Sequence, residues 1–396
     1  MPILFVKAGN VAKPVEITVK IFRARRRIEL RVVILKFPYA REYFFNIACN
    51  MVERLGYDVA GVVSFDLNEK ETSYKNYPVY PLTEIKNLSW DVAIYACEIS
   101  DFAEILPRII ELGIGKEEQF KHIAWLLQQF MIKKYEDFAD PVIQETLEWW
   151  KTHELSVFNQ HIQTETYDKV FFDESCGLPY INFQTVSGKI CKMYYPKNLS
   201  FHVRDGKYYV KDLLTEQLPT SPHLYTTGEH KVNAGDVLID AGVAEGNFAL
   251  KYVDLCSKIY LFEPDEKWQK PLRQTFKDYR DKVKIIPRFL SDVTDEKNIT
   301  IDDALPDLRG KNIFLKMDVE GAEPRALRGA KKLLTGNKVR ASVCTYHNAD
   351  DLIKVKSILQ SCGFKTSTSA GYMVFFYNLD TFDTADFRKG IVYAEN

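Results

Sequence analysis

A chain of 396 residues is long enough for two ordinary domains, each with its own core. A hydrophobic share of 46% with 27% charged residues marks a folded globular protein and excludes a disordered chain. Lys+Arg 53 against Asp+Glu 54 leaves a net charge of −1, too balanced to hold a polyanion by counterion release, so no nucleic-acid partner is expected. The one basic run, Arg23 with Arg25, Arg26 and Arg27, reads as a solvated arm. Seven cysteines are scattered and form no C-x-x-C pair, so they read as reduced thiols and no structural metal site is expected. Apolar runs such as Val32–Leu35 and Val374–Tyr377 are strand-length, far below the roughly 20 residues that span a bilayer. No signal-peptide core opens the chain; the expectation is a cytoplasmic protein without a membrane partner.

From Arg31 to about Gly115 apolar strands alternate with helical stretches: Val32–Phe37, a helix near Ala40–Leu55, Val59–Phe65, Val92–Cys97, then a helix from Asp101 to Leu112. Such alternation predicts parallel βαβ units, hence a small Rossmann-like α/β domain over 1–116. Residues 117–168 read as a helical connector of one or two helices, with aromatic side chains that pack between domains. Residues 169–230 change to short β-prone runs, a β-rich connector or lid, with hairpin turns at Ser187-Gly188 and Asp205-Gly206.

Residues 231–396 return to alternation: Val237–Ala241, Ile259–Glu263, Val283–Phe289, Ile313–Asp318 and Ala341–Tyr346, separated by helices. Phe364–Thr368 and Tyr372–Tyr377 follow, joined by three residues, which is too short for a parallel crossover and predicts a closing antiparallel hairpin.

Charged and glycine residues fall at the carboxyl ends of these strands, where open α/β sheets bind ligands. The first strand runs V-L-I-D-A-G-V-A-E-G-N-F and puts Asp240, Gly242, Glu245 and Gly246 on the following turn, with glycines that let backbone approach a ligand. Their spacing is G-x-x-x-G, not the G-x-G-x-x-G of a pyrophosphate cradle. Glu263 ends the second strand in L-F-E-P-D, placed to accept hydrogen bonds from ribose hydroxyls. Ser291 and Asp292 follow the third strand, near where an adenine amino group would lie. The fourth strand runs into K-M-D-V-E-G-A-E; if it continues through Glu320, its period of two sends Lys316, Asp318 and Glu320 to one face. Glu323 reads there as a helix-terminal acid complementing the dipole.

The strings D-A-G-V-A-E-G-N-F, F-E-P-D, L-S-D, K-M-D-V-E-G-A-E and C-T-Y-H-N-A-D-D, with T-S-P-H-L-Y before them, resemble the ordered motifs of the FkbM family of methyltransferases over about Leu214–Asn396. The resemblance implies a class I methyltransferase sheet, S-adenosyl-L-methionine as cofactor, and O-methylation of a hydroxyl on a sugar, glycan or small natural product. By motif position it implies a cofactor site of Asp240, Gly242, Glu245, Gly246, Glu263, Ser291, Asp292 and Asp318. Asp240 suits the cationic end of that cofactor, directly or through water. The first domain is similar to degenerate nucleotide-sugar-binding units, yet its first loop, K-F-P-Y-A-R-E-Y, has no glycine for a phosphate. A scaffold or acceptor-presenting role is expected of it.

Methyl transfer is an in-line displacement that needs a positioned hydroxyl and a base for its proton. His347, closing the fifth strand in C-T-Y-H, is the first choice of base; Asp318 and Glu320 are rivals, and His223 can reach in from S-P-H-L-Y. A catalytically silent nucleotide-binding module and a nicotinamide-dependent oxidoreductase are the alternative readings.

Overall fold

The computed structural model describes residues 4–6, 30–37, 42–65, 72–97, 99–153, 167–204, 206–211, 217–219, 221–375 and 385–396. The arginine run at 23–27 lies outside them. Two units result: Asn10–Ser156 with Phe376–Asp386, and Val157–Phe375 with Met1–Gly9 and Phe387–Asn396. The two stretches expected as separate connectors are therefore parts of the units, the helical one largely of the first and the β-rich one of the second. Among the described residues no helix is long and apolar enough to cross a membrane.

In the first unit the strand order is Ser73–Tyr74, Tyr77–Pro81, Asp58–Ser64, Arg31–Lys36, Val92–Tyr95, Phe120–His122, parallel throughout except for Ser73–Tyr74. Val32, Val33, Ile34 and Leu35 at its centre are buried on both faces, as a parallel strand under two helical layers requires. Two helices, Ile123–Tyr135 and Pro141–Trp150, complete it; Asp140 caps the second by accepting from Val142 N. Trp125 stacks on Tyr57 within this unit.

The second unit is built on seven strands: β1 (Val237–Ala241), β2 (Lys258–Phe262), β3 (Val283–Ile286), β4 (Asn312–Met317), β5 (Lys338–Cys344), β6 (Lys365–Thr368) and β7 (Ile391–Glu395), in the order β3-β2-β1-β4-β5-β7-β6. Only β7 runs antiparallel to its neighbours. This is the class I methyltransferase sheet. One expected pairing is corrected. Tyr372–Phe375 does not fold back on β6 but pairs with Leu4–Val6 and Asp386–Arg388 in a separate small sheet. The strand that closes the main sheet is β7, whose Ile391, Val392 and Ala394 are almost fully buried. A central slot between β5 and β6 rewards I-V-Y-A with burial on both faces, and long-range burial outweighs the short Ser369–Gly371 link.

Helices α1 (Asn247–Lys251), α2 (Glu266–Thr275), α3 (Glu323–Arg328) and α4 (Asp351–Ser361) flank the sheet. Both expected hairpins form: Leu178–Gln184 pairs with Ile190–Tyr194, and His202–Arg204 with Lys207–Lys211. The first packs Ile181, Phe183 and Met193 into one core with Phe248, Trp268 and Leu272. It is anchored by Val186 N donating to Lys251 O and Tyr194 N to Thr275 Oγ1.

Candidate active site

After β1 the chain turns through three left-handed residues, Gly242 (φ 77°), Ala244 (φ 46°) and Gly246 (φ 84°). Gly242 is fixed by its neighbour: a Cβ there would stand 1.6 Å from the carbonyl oxygen of Asp318. Asp318 N in turn donates to Ala241 O at 2.9 Å. At Gly246 a Cβ would meet Leu272 and Phe276 at 3.0 Å. The glycines were expected to admit a ligand; the side-chain space they leave is filled by protein, which locks the β1 loop against the β4 loop and α2. Buried Glu245 lies between them.

Glu263 follows β2 and is buried. Its Oε2 accepts from Ala244 N at 2.8 Å and its Oε1 from Asp265 N at 2.9 Å. Each oxygen keeps a lone pair, so the carboxylate is held rigid and can still accept from a diol. Ser291 and Asp292 are engaged differently. Arg325 reaches Ser291 Oγ at 2.7 Å and Asp292 Oδ1 at 3.2 Å, while Arg328 reaches Asp292 Oδ2 at 3.1 Å. Burial works against ionisation of Asp292, but the two guanidiniums prevail and hold it below the usual carboxylate range. Both side chains tie the β3 loop to α3.

Asp240, 1% exposed, lies under the turn rather than at its mouth, 3.2 Å from Lys316 Nζ. Burial raises the Asp240 pKa, with Lys316 opposing. Burial also disfavours the Lys316 ammonium, yet Asp240 and Asp318 keep it charged, and it donates to Gly242 O. The charge crowd at this strand end is thus largely an internal pairing, with Asp240 engaged by a lysine instead of facing a ligand directly.

Asp318 is the centre of what remains. Its Oδ2 accepts from Tyr225 OH at 2.7 Å and lies 3.3 Å from His223 Nε2; its Oδ1 lies 3.4 Å from Tyr346 OH and 3.5 Å from His347 Nε2. Burial pushes its pKa up, but His223, His347 and Lys316 outweigh burial and hold the carboxyl well below the usual range. His347, 3% exposed, has Nδ1 3.2 Å from Glu323 Oε1 and Nε2 3.5 Å from Glu320 Oε2. Burial disfavours its charged form, while Glu323, Asp318 and Glu320 together raise its pKa above the ordinary value. β4 ends at Met317, so the alternation expected to carry Glu320 does not reach it: Glu320 adopts φ 54° and its side chain is 91% exposed. The turn nevertheless keeps it beside His347.

Sequence reasoning missed three members of this cluster. Tyr225 sits two residues after His223 in S-P-H-L-Y, and Tyr346 directly precedes His347. Glu323, read as a dipole-complementing acid, is wholly buried. Two residue sets have donor atoms within 4.8 Å of one another, His223–Asp318–Cys344 and Asp318–Glu323–His347. In the second, His347 meets Asp318 with Nε2 and Glu323 with Nδ1, so no single ring nitrogen lies closest to both carboxylates.

Residues 263–366 match the model of the methyltransferase FkbM domain. The chain carries an FkbM methyltransferase domain. S-adenosylmethionine is the methyl donor of that family. A crystal structure of methyltransferase FkbM from Methylobacillus flagellatus KT is similar over 92% of this chain and 90% of its own, at 14% identity and a TM-score of 0.42. Precorrin-6y C5,15-methyltransferase from Geobacter metallireducens GS-15 is similar over 42% of this chain and 84% of its own, at 14% identity and a TM-score of 0.29. Aeropyrum pernix fibrillarin, crystallised with natively bound S-adenosyl-L-methionine, covers 59% of this chain and 100% of its own length at 14% identity and a TM-score of 0.27. No curated protein matches the sequence. The FkbM domain match opens at Glu263 and spans Ser291, Asp292, Asp318, Glu320, Glu323 and His347; the β1 loop and His223 precede it.

Proposed function

We propose that the protein transfers the methyl group of S-adenosylmethionine to a hydroxyl of a sugar, glycan or small natural product in the cytoplasm, with no nucleic-acid or membrane partner. The observation that carries this reading is the pair of environments at the carboxyl edge of β2, β1 and β4. On one side stands a carboxylate, Glu263, braced by backbone N–H groups and able to accept from a ribose diol. On the other, Asp318, Glu320 and Glu323 surround a buried histidine. The cofactor supplies an electrophilic methyl carbon on a sulfonium. Glu263 would hold its ribose, the Gly242–Gly246 turn its amino-acid end, and the backbone of the Ser291–Asp292 loop its base. The anionic Asp318 favours a cationic centre nearby. His347 takes the hydroxyl proton, since the carboxylates around it favour its protonated form. Asp318 is a poor base because its surroundings stabilise the carboxylate, and Glu320 faces water.

Labelled S-adenosylmethionine, incubated with the full chain and a panel of sugars, nucleotide sugars and polyols, tests the reading by mass spectrometry. Label on an acceptor oxygen supports it. Donor binding with no labelled product would leave a silent binding module, and tight NADH binding would favour an oxidoreductase.

A further inference from the structure

We propose that Glu323 is a positioning residue: it holds the proton on Nδ1 of His347 and leaves Nε2 as the nitrogen that accepts the proton of the substrate hydroxyl. This rests on the methyl-transfer reading above.

The two ring nitrogens stand in different surroundings. Nδ1 faces Glu323 Oε1 at 3.2 Å, and that oxygen also accepts from Val319 N at 2.8 Å, so the carboxylate is anchored to the turn that leaves β4. With no solvent exposure, Glu323 has only protein to satisfy it. Complementing the dipole of α3 would not require burial against an imidazole, since exposed acids serve that purpose. Nε2 faces Asp318 and the exposed Glu320, each at 3.5 Å. Glu320 (φ 54°) and Gly321 (φ 94°) are both left-handed, a conformation a glutamate rarely adopts, and it is this turn that keeps the open end of the cluster acidic. Other charges bear on the pair: Asp351 at the start of α4 is coupled to both Glu323 and His347, and His223 lies across Asp318. Arg388 Nη1 donates to the carbonyls of Tyr346 and His347, fixing the backbone that carries the ring.

The step balances. The oxygen–carbon bond forms as the sulfur–carbon bond breaks, the electron pair of the broken bond stays on sulfur, and the hydroxyl proton passes to Nε2. His347 becomes imidazolium with Nδ1 still beside the Glu323 carboxylate, and Glu320 hands the proton on to water. A ring held in one tautomer avoids wasting the neutral population on the form whose Nε2 is already protonated.

Nitrogen-15 NMR of histidine-labelled full chain tests this, with His347→Gln assigning the signal. Neutral His347 should be the Nδ1–H tautomer, and Glu323→Gln should lower its titration midpoint by about one pH unit. The rising limb of the pH–rate profile should move by the same amount, and Glu323→Asp should restore part of both. An Nε2–H tautomer in the wild type overturns the proposal, as does an unchanged titration in folded Glu323→Gln. If that variant does not fold, the wild-type tautomer decides alone. Failure of the methyl-transfer reading would look different: the tautomer and the Glu323 coupling would persist while no acceptor gained a methyl group.

Discussion

Both units are mostly parallel α/β sheets whose first strand stands between the second and a later one, Val92–Tyr95 in the first unit and β4 in the second, so both have a crevice at the carboxyl ends of those strands; the described residues fill it in opposite ways. Among the described residues of the first unit aromatic rings stand there: Phe37 follows the first strand and packs at 4.3 Å from Phe65 and 6.1 Å from Phe102, while Tyr95 stacks on Phe102 at 3.8 Å. In the second, the same places carry Asp240, Glu263, Lys316 and Asp318, with His347 beside them. One topology therefore supports an apolar plug or a polar site, and the residues at the strand ends decide which. We infer that the first unit is a scaffold rather than a nucleotide site.

The largest effect that would test this contrast is on catalysis. His347→Ala should lower kcat by about 10²–10⁴ while donor affinity stays nearly intact, because a general base contributes that much and touches only the acceptor side. Calorimetry with S-adenosylmethionine beside steady-state rates separates the two. A variant that loses thermal stability and keeps its turnover would make His347 a packing residue and transfer the base role elsewhere.

Phe102→Ala should act on the other crevice. Removing a ring that is 2% exposed and touches Phe37, Tyr95 and Phe120 should cost about 3–5 kcal/mol of stability in the first unit. Methyl transfer by the folded fraction should be unchanged. If UDP- or GDP-sugars bind the wild type tightly and the variant not at all, the plug is a binding site and the contrast fails.

Much of this was legible in the sequence because strand ends are local events. Asp240, Glu263, Lys316 and Asp318 each lie in or follow an apolar run, and the runs mark the succession of strands along the chain as far as β5. What escaped depends on residues far apart in the chain. The space at Gly242 belongs to the carbonyl of Asp318, and Asp292 belongs to Arg325 and Arg328, more than thirty residues on. Tyr372–Phe375 pairs with Leu4–Val6, a register no local pattern contains. Glu323 carries an ordinary helix-start signal, and only packing shows that its carboxylate faces a histidine.

Glu263→Ala offers a more modest test of the cofactor side. Losing charged hydrogen bonds to a ribose should weaken S-adenosylmethionine binding by about 1–3 kcal/mol. Because Glu263 also braces Ala244 N and Asp265 N, the Glu263→Gln variant, which keeps the shape and one acceptor oxygen, should lose less. Equal affinity in all three proteins would move the ribose away from β2.

The smallest effect is on the pH dependence of stability, and its sign follows from two histidines of the second unit. Burial, with Arg340 adding to it, pulls the His230 pKa down to about 4. An unfolded histidine binds its proton near pH 6.5, so as the pH falls from there toward 4 the unfolded state gains protons that folded His230 refuses, and stability drops. His347 works in the other direction: its raised folded pKa means that its contribution is complete below about pH 6.5 and is lost as the pH rises through the folded value. Together they predict a stability maximum near the ordinary histidine pKa, with stability falling on the acid side through His230 and on the alkaline side through His347. Thermal melts between pH 4 and 9 should show it, with His230→Asn flattening the acid limb and His347→Gln the alkaline one. Because both histidines belong to the second unit, the transition of the first unit should follow neither substitution. A melt in which His347→Gln leaves the alkaline limb intact would mean that Glu323 and Asp318 do not bias that ring toward its charged form, and the polar filling of the second crevice would then be a matter of hydrogen bonds without charge.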